Sequence, residues 1–511
     1  MDLYVTTSIP YVNADPHIGF ALEVVQADAL ARHRRSRGDD VRFLSGTDDN
    51  SLKNVQAAER QGIPVSELVD VHAAAFEGLR EPLNLSWDDF LRTSHDPRHR
   101  PGVERLWEAT AASGDLYRKY YEGLYCVGCE TFYDPEELQD GLCPTHRTEP
   151  QLVTEENWFF RLSRYEDQLL ELYRSGQIRV EPKVRENEVL AFIARGLRDF
   201  SVSRSVRRAR GWGIPVPGDP SQVTYVWFDA LGNYITALDY GDGPDAPAFQ
   251  RWWTGSGRQV HVIGKDIVRF HAIYWPAFLL SAGLRLPREI FVHDFLTVNG
   301  QKLSKSLGNV IDPVALTRSY GTDSLRWWLL SQVPKVGDTD FTLERLVSTA
   351  NRDLAGGIGN LAQRVATMVH KYRSGVVPAE YADLSLDEGS APLRQTTTEL
   401  PRLVDEALAV FDFRTAAAAI VNAVTEANRY VEAVAPWVLA KSERTNLDAA
   451  RELDIALRVL VDTVRNIARE LRPFVPELAA KLVSRFEADK LPEPEPVFPR
   501  IEAPARAVDG E

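Results

Sequence analysis

Cysteine is scarce in this 511-residue chain. There are three, Cys126, Cys129 and Cys143, all in one short span. An odd count without a signal peptide argues against a disulfide framework. Long apolar runs are missing too. No uncharged segment approaches the roughly 18 residues that a membrane helix needs, and the N-terminus lacks a basic region followed by an apolar core. The expected location is the cytoplasm, with no membrane partner. No internal repeat and no long low-complexity tract occurs, so the chain does not read as a repeat array. Positive charge is in deficit: 59 Lys and Arg stand against 73 Asp and Glu, a net charge of −14. Whole-surface charge therefore argues against a nucleic-acid partner, but binding depends on local patches. Arginines do cluster, at Arg195, Arg198, Arg204, Arg207, Arg208 and Arg210. A solvated basic face is the plain alternative.

What is present suits an ordinary soluble chain of two to four domains, because 511 residues exceed what one core can organise. An apolar, β-branched run from Leu3 to Ile9 leads into Tyr11-Val-Asn-Ala-Asp-Pro-His-Ile-Gly-Phe20, and residues 21–32 have helical periodicity. A strand, a tight turn and a helix start in that order expose unpaired N–H groups and a positive dipole end to an anion. His17 can add a donor, and Gly19 lets a flat base approach the backbone. A second strand, Val41–Ser45, precedes the polar turn Gly46–Asn50 and a helix from Lys53 to Gln61. Strand–helix alternation predicts a parallel sheet with helices on both faces, with ligands beyond the strands' carboxyl ends. Asp48 lies at such an end, where an Asp also commonly caps the next helix.

The expected organisation is a doubly wound, Rossmann-like α/β catalytic domain in two halves, 1–115 and 220–320, divided by an insert at 116–219. A short linking region, 321–345, would follow, then an all-α bundle over 346–490 and a Pro-rich tail over 491–511. The insert is aromatic and turn-rich, and it holds Cys126-Val-Gly-Cys129, then thirteen residues, then Cys143-Pro-Thr-His146. C-x₂-C and C-x₂-H knuckles match tetrahedral zinc, and the site reads as structural, with no open position. Near 223 a strand-like run, Val223–Ala230, resumes the α/β pattern. Strands Val260–Ile263 and Ile290–His293 follow, the first running into Gly264-Lys265-Asp266. The stretch Gln301-Lys-Leu-Ser-Lys-Ser-Leu-Gly-Asn309 puts Lys302 and Lys305 in one loop, compact charges suited to a polyphosphate. Beyond 346, Leu and Val recur at three- and four-residue spacing, as in Ala416–Tyr430 and Ile455–Leu471. Phe498 and Ile501 of the tail are placed to dock on another domain.

This order of motifs resembles the class I aminoacyl-tRNA synthetases, whose two signatures are HIGH and KMSKS, and among them the methionine-activating family. The distinguishing stretches are Pro10–His17, Tyr225-Val-Trp-Phe-Asp-Ala230, Gly264-Lys-Asp-Ile267 and Val298-Asn-Gly-Gln-Lys302, and the likeness runs from about residue 1 to 501. The resemblance implies formation of an aminoacyl-adenylate from ATP with Mg²⁺, then transfer to tRNA(Met). Such a reaction needs positioning and charge neutralisation more than a protein nucleophile. It assigns His17, Gly19, Phe20, Lys265, Asp266, Lys302 and Lys305 to ATP. L-Methionine would fall to Ile9, Tyr11, Trp227, Ala230, Tyr234, Ile267 and His271, with Asp48 on the ammonium group. Thioether sulfur prefers aromatic edges, a rationale for such walls. Asn360, Arg364 and Trp437 match anticodon-reading positions, where stacking and guanidinium hydrogen bonds suit splayed bases.

The chain departs from the family pattern at three places. The second histidine of HIGH is Phe20, which cannot donate to a phosphate. The Asp-Glu-His-Gly or Asp-Ala-His-Gly turn is Asp48-Asp-Asn-Ser51, and the KMSKS methionine is Leu303, a volume-conserving change. No further domain follows the bundle, so a monomer is expected. Besides a working methionine-activating enzyme, two alternatives fit these departures. One is a specialised paralogue using a related amino acid or another acceptor. The other is a tRNA-binding protein without adenylate chemistry.

Overall fold

The computed structural model describes residues 1–128, 131–144, 147–303, 310–380 and 385–502. It divides into two compact units. The first holds residues 1–81 and 85–295, and the second holds 82–84 and 296–511.

The first unit is built on a six-stranded, all-parallel sheet. Its strands are β1 (Asp2–Thr7), β2 (Asp40–Thr47), β3 (Asp89–Arg92), Arg179–Glu181, Arg258–Gly264 and Glu289–His293. In space the order is β3, β2, β1, Arg258–Gly264, Glu289–His293, Arg179–Glu181. From β1 the chain steps outward to β2 and β3, and later returns to lay Arg258–Gly264 on β1's other side. Strand order therefore reverses between β1 and Arg258–Gly264, the place where a doubly wound sheet opens a crevice. Strand Arg179–Glu181 lies within the span 116–219, yet it pairs in register with Glu289–Phe291 of this sheet.

Helix α1 (Ile18–Ser36) lies almost wholly buried, including Glu23, Gln26 and Asp28. Burying charge requires partners. Asp28 accepts from the Ser86 amide at 2.7 Å and from Arg32 at 2.8 Å, and Glu23 accepts from Ser8 at 2.6 Å. Helices α2 (Leu52–Gln61), α3 (Val65–Glu77) and α4 (His99–Ala112) follow. The strand expected over Val223–Ala230 ends at Thr224, and Val226–Thr236 is a helix with every residue buried. A helix buried all round shows no amphipathic period, so the short apolar run could not be told from a strand.

The remaining strands of this unit form antiparallel sheets. Leu116–Cys126 pairs along its length with Gln151–Phe160, from Leu116 opposite Phe160 to Tyr125 opposite Gln151. Thr131–Tyr133 and Phe200–Ser201 extend it. Tyr121 and Tyr125 each meet Phe132 edge-on at 5.0 Å. The arginine cluster is not one solvated face. Arg204 is buried, Arg208 pairs with Glu155 at 2.8 Å while covering the Tyr125 ring at 3.9 Å, Arg198 pairs with Asp134, and Arg210 pairs with Glu59.

The second unit begins with a hairpin, Leu296–Val298 against Gln301–Lys302, turned by Asn299 and Gly300 with φ of 54° and 71°. Two central residues at positive φ make the type I′ turn that Asn-Gly favours. Helices fill the rest. Phe413–Val434 buries Phe413, Ala416, Ala417, Ile420, Val424 and Val431 as one stripe, and Leu447–Leu471 does the same from Leu453 to Leu471. These stripes contain the two helical stretches expected from spacing. The tail docks on the segment that opens the bundle, within the same unit. The Ile501 amide donates to Asn351 Oδ1, and Asn351 Nδ2 returns a bond to the Ile501 carbonyl, both at 2.8 Å.

Candidate active site

Residues from the ends of β1, β2 and Arg258–Gly264 meet at the point where strand order reverses. His17 caps α1, its Nδ1 accepting from the Gly19 amide at 3.0 Å. A ring nitrogen that accepts a backbone N–H carries no proton, so Nε2 is the protonated nitrogen of the neutral ring, a donor suited to a phosphate oxygen. Phe20, at the second-histidine position, is 8% exposed and meets the Phe76 ring edge-on at 5.0 Å. Its role in the structure is to fasten α1 to α3.

The aromatic residues gather on helix Val226–Thr236 and the helical turn Phe270–Tyr274. Trp227 stacks on Phe270 at 3.8 Å and 6°, and Tyr11 and His271 both stand roughly edge-on to it, at 6.4 and 6.1 Å. The Tyr234 hydroxyl meets His271 Nε2 at 2.7 Å, and His271 Nδ1 donates to the Ile267 carbonyl at 3.0 Å. His271 thus accepts from Tyr234, in the Nδ1–H tautomer. Burial lowers its pKa to about 4, so the ring is neutral at physiological pH. Behind Tyr234, His261 stacks on it at 4.1 Å and is likewise pushed well down by burial. Ala230 is buried in the same helix, while Ile9 and Ile267 are half-buried. Ile9 lies against Gly46, where a Cβ would stand 2.1 Å from the Leu91 carbonyl oxygen and 3.2 Å from Ile9 Cγ2. Only glycine allows β2 and β3 to close there.

The polar turn after β2 faces the segment after β1. The Asp48 amide donates to the Pro10 carbonyl at 2.9 Å, and Tyr11 and Asp48 form a parallel bridge. Asp48 is 1% exposed, and its Oδ1 accepts from the Asn50 amide at 3.1 Å. Asp49 is saturated structurally, accepting from Thr47, Ser94 and Arg92 at 2.8, 2.6 and 3.2 Å, and burial raises its pKa.

At the far side of the crevice Lys265 is half-buried and Asp266 exposed. The Lys265 ammonium lies 4.6 Å from the Phe295 ring centre and 4.0 Å from Asp294. Two residues that sequence reasoning missed sit beside them. Glu23 and His293 form a buried pair at 3.0 Å. Burial alone would lower the His293 pKa, but the hydrogen bond and charge of Glu23 raise it overall. A histidine on the last residue of a central strand was the available signal.

The comparisons with known proteins agree along the whole chain. The family model described as tRNA synthetases class I (M) matches residues 3–152 and 129–366, and the model for the anticodon binding domain of methionyl tRNA ligase matches 385–503. The chain belongs to the class I tRNA synthetases. Among curated relatives, methionine–tRNA ligase of Brucella suis biovar 1 is 42% identical, covering 97% of each chain, and that of Mesorhizobium japonicum is 43% identical, covering 98% of each. A solved structure of Mycobacterium tuberculosis methionyl-tRNA synthetase in complex with methionyl-adenylate matches with a TM-score of 0.91 at 40% identity, over 98% of this chain and all of that one.

The synthetase's other candidate residues fall in three places. Lys302 pairs in the hairpin through its backbone, opposite Thr297. Its side chain lies outside the described residues, as do residues 304–309 with Lys305. Cys126 and Cys143 are buried in one small cluster with Tyr133 and Leu138. Cys129 and His146 lie outside the described residues, and among the described residues no group of three or more metal-ligating side chains comes together. In the second unit Asn360 is exposed and Arg364 stands one turn on, bonded to Asn428 at 3.0 Å and Glu432 at 2.7 Å. Ala435, at φ 45°, turns the chain so that Pro436 is buried and Trp437 is 41% exposed.

Proposed function

We propose that this synthetase activates L-methionine with ATP and charges tRNA(Met). The observation that supports it most directly is the cluster of Trp227, Tyr234 and neutral His271, reached through Tyr11 from Asp48. An uncharged imidazole and tyrosine edges suit a thioether, and the Asp48 carboxylate suits the ammonium group. The methionine carboxylate attacks the α-phosphorus, forming the acyl–phosphate bond as pyrophosphate leaves. A terminal ribose hydroxyl of tRNA then attacks the acyl carbon and AMP departs. In this reading His17 Nε2–H and the first amides of α1 hold phosphate oxygens, Gly19 keeps the backbone open to the base, and Lys265 and Asp266 flank the nucleotide. Lys302 and Lys305 neutralise the leaving pyrophosphate, whose bound Mg²⁺ supplies further positive charge. Ile9, Tyr11, Ala230 and Ile267 complete the methionine walls. Asn360, Arg364 and Trp437 read the anticodon by stacking and hydrogen bonds.

Two buried thiols in a cluster with little apolar mass of its own fit a structural zinc held by Cys126, Cys129, Cys143 and His146. The metal would hold the knuckle closed.

ATP–pyrophosphate exchange with a panel of amino acids tests the proposal. Exchange with methionine well above all others is expected. No exchange with any amino acid, or exchange only with another one, would overturn it.

A further inference from the structure

The departure at Asn50, where the family has a histidine, has a physical role in this fold. Asn50 Nδ2 donates to Asp229 Oδ2 at 2.7 Å. The other carboxylate oxygen, Oδ1, meets His99 Nε2 at 2.5 Å, and His99 Nδ1 meets Thr236 Oγ1 at 2.8 Å. Asp229, His99 and Thr236 are each no more than 1% exposed. Three elements distant in sequence are thus joined at one carboxylate: the turn after β2, the start of α4, and helix Val226–Thr236.

What these elements carry gives the junction its meaning. The turn carries Asp48, two residues before Asn50. The helix carries Trp227, Ala230 and Tyr234, on either side of Asp229. We infer that Asp229, clamped between Asn50 and His99, is a positioning residue that sets the distance between the ammonium-binding carboxylate and the aromatic wall of the amino-acid pocket. The inference rests on the amino-acid site proposed above.

Asp48 is itself tied to the segment after β1 through the Pro10 carbonyl, and to its own turn through the Asn50 amide. Trp212 Nε1 and the Thr93 hydroxyl hold the same turn from outside, through the Asp49 carbonyl at 2.8 Å and the Asp49 amide at 2.9 Å. Among these contacts the Asn50–Asp229 bond is the one that reaches the helix bearing the pocket wall. A charge-assisted bond in a buried setting holds such a distance more tightly than apolar packing does. Misplacing a binding group by about 1 Å is enough to cost on the order of 100-fold in rate. The side-chain bonds of Asn50, Asp229 and His99 run to one another and to Thr236, so the effect should fall on methionine rather than on the nucleotide.

The test is steady-state exchange kinetics on the whole chain, with methionine and ATP varied separately. Asn50→Ala should raise the methionine KM roughly tenfold or more and leave the ATP KM within about twofold. Asn50→His, which restores a ring N–H donor, should keep the methionine KM within about threefold of wild type. Asp229→Asn should behave like Asn50→Ala, and the double variant should be no worse than either single one. Asn50 is half-buried at the surface of the turn, so its variants keep the test valid if the Asp229 variant does not fold. An unchanged methionine KM in Asn50→Ala, equal changes in both KM values, or additive effects in the double variant would overturn the inference. Wild-type protein that exchanges with no amino acid would overturn the proposed function instead, so the two failures are distinct.

Discussion

At the level of single residues, the site depends on histidines held in chosen states. His271 is kept neutral by burial, with Ile267 and Tyr234 fixing its tautomer. Its folded pKa of about 4 lies below the ordinary 6.5. Below pH 6.5 the unfolded chain takes up a proton that the folded chain refuses, so stability falls as pH drops toward 4 and levels off beneath it. From pH 7 to pH 5 this one group should withdraw about 2 kcal/mol. His293 works in the opposite sense: its raised pKa gives stability that is present at low pH and lost as pH rises through the folded value. Comparing wild type with His271→Gln isolates the first effect. The variant should lose about 2 kcal/mol less between those pH values in chemical denaturation, and parallel losses would show that His271 is not held neutral. The partner of His271 Nε2 could not be read from sequence, because the Tyr234 hydroxyl is contributed by another part of the fold. Phe20 gives the same lesson. Its identity shows that a phosphate donor is missing, while only packing shows its ring spent on Phe76.

At the level of elements, spacing was informative where a helix has a wet side and uninformative where it has none. The bundle helices show their stripes plainly, whereas Val226–Thr236, buried on every side, resembled a strand. The second unit also contains a buried cation that no periodicity marks. Arg326 is fully buried in helix Thr322–Ser331, and its guanidinium donates to the carbonyls of Leu83, Asn84, Pro473 and Phe474 at 2.8 to 3.3 Å. Arg326 thus ties two irregular segments to one helix, satisfying carbonyls that would otherwise be buried without partners. Replacing it by Ala strands these acceptors and opens a cavity, so Arg326→Ala should destabilise the second unit by at least ~3 kcal/mol. A thermal midpoint within a degree or two of wild type would contradict that role.

At the level of the whole molecule, the net charge of −14 first argued against a nucleic-acid partner. The family assignment shows how little a summed charge says about where tRNA is read. Purified protein should carry about one zinc per chain, the stoichiometry of a single four-ligand structural site. Cys143→Ser should release the metal and open the span between Cys126 and Thr148 to limited proteolysis. A metal-free protein with unchanged protease resistance would rule out the structural zinc. Sequence alone determined the alternation that makes a parallel sheet, the helical second half, and the motif order that points to the synthetases, because strand, turn and helix signals are local. Only the tertiary structure decided which residues share the crevice. Glu23 with His293, and Asn50 with Asp229 and His99, are pairs brought together by a sheet whose strand order does not follow the chain. The opening Tyr11–Phe20 stretch becomes a site for the same reason: β1 lies at the centre of that sheet, where the order reverses.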